Sequence, residues 1–234
     1  MTPSPQDVSI VVPVLDEAAG IASALAALQP FRAAGAEVIV VDGGSRDATR
    51  ALAAAFADRV MEAARGRASQ MNAGAAAARG ETLVFLHADT MLPANALVAI
   101  GDALDAGHAW GRFDATISEG GALLSLVAAM MNARSRLTGI ATGDQAMFMR
   151  RAAFERAGGF PAIPLMEDVA LSRALKRISA PACLRERAVT SGRRWRKRGT
   201  VRTIVLMWWL RFAYALGADP RVLARRYDAG HGRP

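Results

Sequence analysis

Short unbroken apolar runs stand at residues 8–14, 37–41 and 82–86, and stretches with helical spacing separate them. A continuous β-branched run is what a strand buried on both faces requires. Residues 8–14 are therefore predicted as a buried parallel strand and 17–28 as a helix. Residues 37–41 repeat the strand signal, Gly43 and Gly44 break it, and 47–57 read as the next helix. A helix over 69–78 and a buried strand over 82–86 follow. Pro93 is expected to open another helix at the first-turn position that proline favours. This β–α–β–α–α–β–α order calls for a mostly parallel sheet covered by helices on both faces.

After about residue 109 the pattern changes. Residues 111–118 read as an edge strand, 123–137 as an amphipathic helix, 145–149 as a short strand and 168–177 as a helix. Two arginine-rich helices close the chain. No linker interrupts it, so the expectation is one compact α/β domain over 1–216. Residues 1–108 form its nucleotide-binding half and 109–216 complete it, and 217–234 add a C-terminal helix and tail.

Composition narrows the class. At 234 residues, 52% hydrophobic and 21% charged, the chain is neither disordered nor fibrous. Cys183 is the single cysteine, so there is no internal disulfide framework, and a cytoplasmic setting is expected. The polar N-terminus does not read as a signal peptide. The most apolar stretch, 204–216, is interrupted by Arg211 and falls short of the roughly 20 residues a spanning helix needs. It is expected to be buried or to lie on a surface. Trp208, Trp209 and Tyr214 within it suit a membrane interface. The net charge is +8, and only Lys176 and Lys197 are lysines. Arginine's planar fork suits phosphate, so nucleotides, nucleic acid and anionic membranes all fit the charge.

In open α/β sheets ligands sit beyond the carboxyl ends of the strands. Three acidic clusters fall there: Asp16 with Glu17, Asp42, and His87 with Asp89. One such acid reads as a cap or turn former; three at successive strand ends are harder to explain that way. The dinucleotide and P-loop glycine patterns are both absent. Asp42 can accept a hydrogen bond from a nucleobase imide, or cap its loop with Ser45. Asp89 offers an oxygen suited to Mg²⁺ or Mn²⁺, and His87 reads as a ligand or as a structural histidine. Arg67 precedes a helix whose start can face a phosphate or a base, with Gln70 and Asn72 behind it. Glu167 and Asp168 either satisfy a helix N-terminus or supply a general base. Gly143, Asp144 and Gln145 make a glycine-led polar turn. Residues 191–199 place five basic residues around Trp195, which suits nucleic acid, a diphosphate, an anionic membrane, or plain solvation.

Taken in order, these segments resemble glycosyltransferase family 2, whose fold is GT-A, over about residues 8–216. SIVVPVLDEA is similar to its opening strand. VVDGGSRDAT is similar to its VDDGSxDxT segment, with Gly43 where a second Asp is common. GRASQMNAG resembles GKxxAxNxG, with Arg67 for lysine. FLHADT resembles the DXD metal motif, with His87 in the first acidic position. LMEDVALSRAL resembles the segment that carries the base, and RRW at 193–195 resembles QxxRW in part. HADT, GDQAMF, PLMED and SGRRW together resemble the subfamily encoded near radical-SAM and selenium-related proteins.

The resemblance implies a GT-A, Rossmann-like α/β domain that inverts the anomeric centre of a sugar taken from a nucleoside-diphosphate donor, expected to be UDP-linked. Pro13, Glu17, Asp42, Gly43, Arg67, Asn72, His87 and Ala88 would bind the donor, with Asp42 reading the base. Asp89 would hold Mg²⁺ or Mn²⁺. Asp168 would take the acceptor's proton beside Glu167, with Asp144 and Gln145 at the acceptor, and Arg194 and Trp195 would close over the site. The acceptor, a lipid or a small molecule, stays open, and an anionic membrane surface on the cytoplasmic side is an expected partner. Two other classes compete. A nucleotidyltransferase predicts a basic glycine-rich loop after the first strand, where this chain has LDEAAG. A non-catalytic basic nucleotide- or membrane-binding protein explains SGRRWRKRG but not the acids at three strand ends. Nucleic acid is not an expected partner.

Overall fold

The computed structural model describes residues 7–119, 121–193 and 199–229. An eight-stranded mixed sheet runs in the order β3-β2-β1-β4-β7-β6-β8-β5. Its first half is parallel: β1 (Val8–Val14) pairs with β2 (Glu37–Asp42) on one side and β4 (Thr82–Phe85) on the other, and β3 (Arg59–Glu62) flanks β2. Side chains alternate across the pleat. Val8, Ile10, Val12 and Val14 pack beneath α1 (Ile21–Ala26) and α2 (Gln29–Ala33), whereas Val11, Ile39 and Val41 pack against α4 (Arg67–Ala77). Both faces of the sheet are thus covered, which is why its central strands carry unbroken apolar runs. At Gly74 a Cβ would overlap Val11 Cγ1, so glycine sets the close approach of α4 to β1.

The second half continues the sheet with reversals. β7 (Met147–Arg150) is antiparallel to β4 and to β6 (Trp110–Ser118); β8 (Ala182–Ser191) is parallel to β6; β5 (Thr90–Met91) is antiparallel to β8. Helices α3 (Thr49–Ala54), α5 (Ala96–Asp105), α6 (Gly121–Thr138), α7 (Arg151–Arg156), α8 (Glu167–Leu175), α9 (Thr200–Ala215) and α10 (Pro220–Ala229) complete the elements. Leu165, Met166 and Val169 form one cluster with Leu210 of α9 and Leu223 of α10.

Several boundaries differ from the sequence expectation. The helix expected over 17–28 begins only at Ile21, because backbone amides before it are taken by another loop. Glu17 N–H donates to Thr49 Oγ1 at 2.8 Å and Ala18 N–H to Asp47 Oδ2 at 3.1 Å. Pro93 does not open α5: its carbonyl closes a turn with Ala96 N–H, and the helix starts there. The strand expected at the edge, β6, is interior, lying between β7 and β8. Strands β3 and β8 lack an apolar run. β3 is a half-exposed edge strand, and β8 carries Arg185, Glu186 and Arg187 in its middle.

Candidate active site

A cleft of about 720 Å³ lies over the carboxyl ends of β1 and β4. Pro13, Val14, Leu15 and Glu17 form the wall where β1 ends, and His87, Ala88 and Asp89 the wall after β4. Arg65, Gly66 and Arg67 enter from the start of α4, the loop 162–165 faces them, and α10 adds Arg221, Ala224 and Tyr227. Five of the residues expected at the donor, Pro13, Glu17, Arg67, His87 and Ala88, therefore share one cavity with Asp89, the expected cation ligand.

Asp16 sits in a left-handed conformation after β1 (φ 53°), and its carboxylate accepts from Arg46 N–H at 2.8 Å, while its own N–H donates to Ser45 Oγ at 2.9 Å. These bonds fasten the β1 loop to the β2 loop. Asp42, fully buried, completes the clasp. Its Oδ2 accepts from Gly44 and Ser45 N–H at 2.9 Å each, and its Oδ1 from the Ser45 hydroxyl. It shapes the loop rather than standing on the cleft wall. Beside it Gln70 donates to Val14 O and Val41 O at 2.8 Å each, tying the ends of β1 and β2 together. A Cβ at Gly43 would press on that amide at 3.0 Å.

Two further expected residues are turned elsewhere. Asn72 brackets Phe160, donating to its carbonyl at 2.8 Å and accepting from its N–H at 2.9 Å. Gln145 is buried in its own 3₁₀ turn (Gly143–Gln145), closed by a capping box with Thr142. The side chains of Asn72, expected in the donor pocket, and Gln145, expected at the acceptor, are instead engaged by the distant Phe160 backbone and by Thr142 and Asn132. Arg194 and Trp195 lie outside the described residues. Arg193, one of the five basic residues around Trp195, reaches Glu17 on the cleft wall at 3.0 Å.

Behind the cleft lies a carboxylate cluster. His87 Nδ1 is 3.3 Å from Asp144 Oδ1, and a Cβ at Gly143 would overlap the His87 ring. Gly143 N–H donates to Asp168 Oδ2 at 3.0 Å, and Val169 N–H to Asp168 Oδ1 at 2.7 Å. The 3₁₀ turn and the start of α8 thus aim both Asp144 and Asp168. Glu167 is buried. Burial and then the Asp168 charge push its carboxyl up to about 6, against the pull of Arg67 and His87. Two arginines that sequence reasoning missed, Arg134 of α6 and Arg211 of α9, stand on the Asp168 side. Burial and the neighbouring Arg211 charge bring Arg134 down to about 10, and burial also lowers Arg211 although Asp168 and Asp144 oppose it. Arg221 and Tyr227 were missed as well. The i, i+3, i+6 spacing of 221, 224 and 227 on one helix face was their only signal.

Among the described residues no three His, Cys, Asp or Glu side chains form a closed metal cage. Asp89 and His87, which share the cleft with Arg65 and Arg67, are the side chains there that could hold a hard cation beside a bound diphosphate.

Comparison with known proteins places this geometry. The family model described as Glycosyl transferase family 2 matches residues 9–157. No curated protein matches the chain. Among solved structures, S. aureus TarS 1–349 is 17% identical with a TM-score of 0.63, over 80% of this chain and 60% of that one. The mannosyltransferase PcManGT from Pyrobaculum calidifontis, in complex with GDP-Man and Mn²⁺, is 24% identical with a TM-score of 0.63, over 94% and 68%. Glucosyl-3-phosphoglycerate synthase from Mycobacterium tuberculosis, in complex with Mn²⁺, UDP and phosphoglyceric acid, is 23% identical with a TM-score of 0.56, over 77% and 68%. The chain spans about three fifths of the length of the TarS structure.

Proposed function

The chain belongs to glycosyl transferase family 2, and from that premise we propose that it moves a sugar from a UDP-linked donor to an acceptor hydroxyl with inversion. The observation that carries this reading is the cleft itself. It sets Arg65, Arg67 and Asp89 around one cavity, and Glu167 and Asp168 stand behind it.

In this reading Pro13 and Leu15 pack the nucleoside, and Arg65, Arg67 and Arg221 direct their donors at the diphosphate. Asp42 and Gly43 hold the shape of the base pocket through the clasp with Ser45 and Gln70. Asp89, with His87 beside it, would hold Mg²⁺ or Mn²⁺; when bound, the cation supplies charge neutralisation for the leaving diphosphate. PcManGT and the mycobacterial synthase are similar folds solved with Mn²⁺ and a nucleotide, which supports that assignment. The acceptor oxygen forms the new bond to the anomeric carbon, and the bond to the diphosphate oxygen breaks with its electron pair. The hydroxyl proton passes to Asp168, whose two oxygens each keep a lone pair after accepting one backbone N–H. Arg194 and Trp195 are assigned to closing the cleft on sequence grounds alone. No helix among the described residues is long and apolar enough to cross a membrane. Attachment to the anionic face of a membrane is part of the proposal, supported by the stripe of Val201, Val205, Trp208, Phe212 and Leu216 exposed along α9.

A thermal-shift screen of UDP, GDP and their sugars with Mn²⁺ or Mg²⁺ tests this. A binder at 100 times its Kd adds about 2.7 kcal/mol, and Asp89→Ala should remove the cation-dependent part alone. Absence of a shift with every nucleotide and cation pair would falsify the donor assignment.

A further inference from the structure

A second cavity, of about 550 Å³, opens between α6 and α9. Its sides are apolar: Leu126, Val127 and Met130 from one helix, Ile204, Met207 and Trp208 from the other. Its polar end holds Arg134, Arg211 and Asp144. Asp144 is also the residue that touches His87, and His87 lines the donor cleft. The two cavities therefore meet at the His87–Asp144 contact, with Asp168 beside it.

The polar end is incomplete as it stands. Arg134 Nε and Nη2 and Arg211 Nε are buried without a hydrogen-bond partner. Buried donors on a charged group are costly when unmatched, and two guanidinium groups held side by side repel each other. Burial and mutual repulsion lower the proton affinity of Arg134, and Asp168 does not offset this. An anion meeting the parts of the two guanidinium groups that line the cavity would offset their mutual repulsion. Yet among the described residues the walls leading to this point offer only the Trp208 indole N–H, too little to hold a small hydrophilic anion. A ligand matching both ends is amphiphilic, with one apolar chain and an anionic head.

We propose that this cavity is the acceptor subsite of the transfer reaction, on which reading the inference rests. Its occupant is a single-chain lipid whose headgroup carries a phosphate and a free hydroxyl. The chain lies between α6 and α9, and the phosphate meets Arg134 and Arg211. The hydroxyl is presented to Asp168 at the junction with the donor cleft. The mouth of the cavity fits a lipid source. Leu126 is 56% exposed and Trp208 60%, and Phe212, 65% exposed, continues the apolar rim along α9.

The test uses the full chain without nucleotide and three probes below any micelle-forming concentration. These are 1-oleoyl lysophosphatidic acid, 1-oleoylglycerol, which lacks the phosphate, and glycerol 3-phosphate, which lacks the chain. Binding is read by tryptophan fluorescence and thermal shift. Lysophosphatidic acid should bind at least about tenfold more tightly than either control, a difference of about 1.4 kcal/mol. Arg211→Gln and Leu126→Asp should each weaken it at least about tenfold. Leu126 is exposed, so the second variant keeps the test valid if the first fails to fold. Equal binding of either control overturns the proposal, as does lysophosphatidic acid binding that neither variant weakens, which would mark a non-specific bilayer-facing surface. No binding of lysophosphatidic acid overturns it too. A parallel nucleotide titration separates the two readings. Nucleotide binding without lipid binding removes only the acceptor assignment, and lipid binding without nucleotide binding removes the donor assignment.

Discussion

Glu167 and Asp168 are adjacent in the chain yet differ in their surroundings. Asp168 accepts two backbone N–H groups, whereas Glu167 is buried against the Asp168 charge and is pushed up to about 6. A carboxyl raised in the folded state favours folding while it is protonated, and that advantage is lost as pH rises through about 6. Glu167→Gln should therefore match wild type near pH 4.5 and become more stable by up to about 2 kcal/mol at pH 8; denaturant unfolding of both proteins at the two pH values measures it. Asp168→Asn should slow transfer by about 10²–10⁴ and leave donor binding intact if the carboxylate is the base. Turnover by product assay and nucleotide titration read the two effects separately. At this scale Glu17, His87 and Asp89 beyond strand ends, and Arg67 at the start of α4, were legible because their place in the chain brings them to the cleft. Asn72 and Gln145 were not. Whether an amide faces a cleft or a nearby backbone depends on its partners, and the partner of Asn72, Phe160, is 88 residues away.

Elements are set by different forces in the two halves. β1, β2 and β4 are buried on both faces, so their sequence is apolar throughout and their limits were readable to within a residue or two. β8 is paired on both sides, yet most of its residues are half-buried or exposed, so it is held by pairing with β6 and β5 rather than marked by an apolar pattern. Helix α4 depends on Gly74. Adding one methyl there collides with Val11, and overpacking of this kind costs about 1–3 kcal/mol. Gly74→Ala should lower the urea midpoint accordingly, and it should weaken nucleotide binding as well because Arg67 rides on the same helix. α10 read in sequence only as a C-terminal helix before the tail, and Leu223 seats it against Leu165 and Leu210, which brings Arg221 and Tyr227 to the cleft.

In the whole molecule the surplus of arginine divides by location. Arg65, Arg67 and Arg221 surround the donor cleft, Arg134 and Arg211 end the apolar cavity, and the basic residues 196–198 lie outside the described part. The exposed stripe of α9 predicts that the protein floats with vesicles containing anionic lipid, and that Trp208→Glu with Phe212→Glu abolishes flotation. Equal flotation of the double variant would remove α9 as the contact. The net charge alone could not choose between nucleotide, nucleic acid and membrane, because a charge sum carries no positions. By itself the sequence determined the parallel half of the sheet and the acids at its strand ends, since local burial and chain order dictate both. Only the tertiary structure decided which polar side chains face a cavity and that α6 and α9 enclose a second one ending in Arg134 and Arg211. Those outcomes depend on contacts between elements far apart in the chain, where no local pattern records which donor is left without a partner.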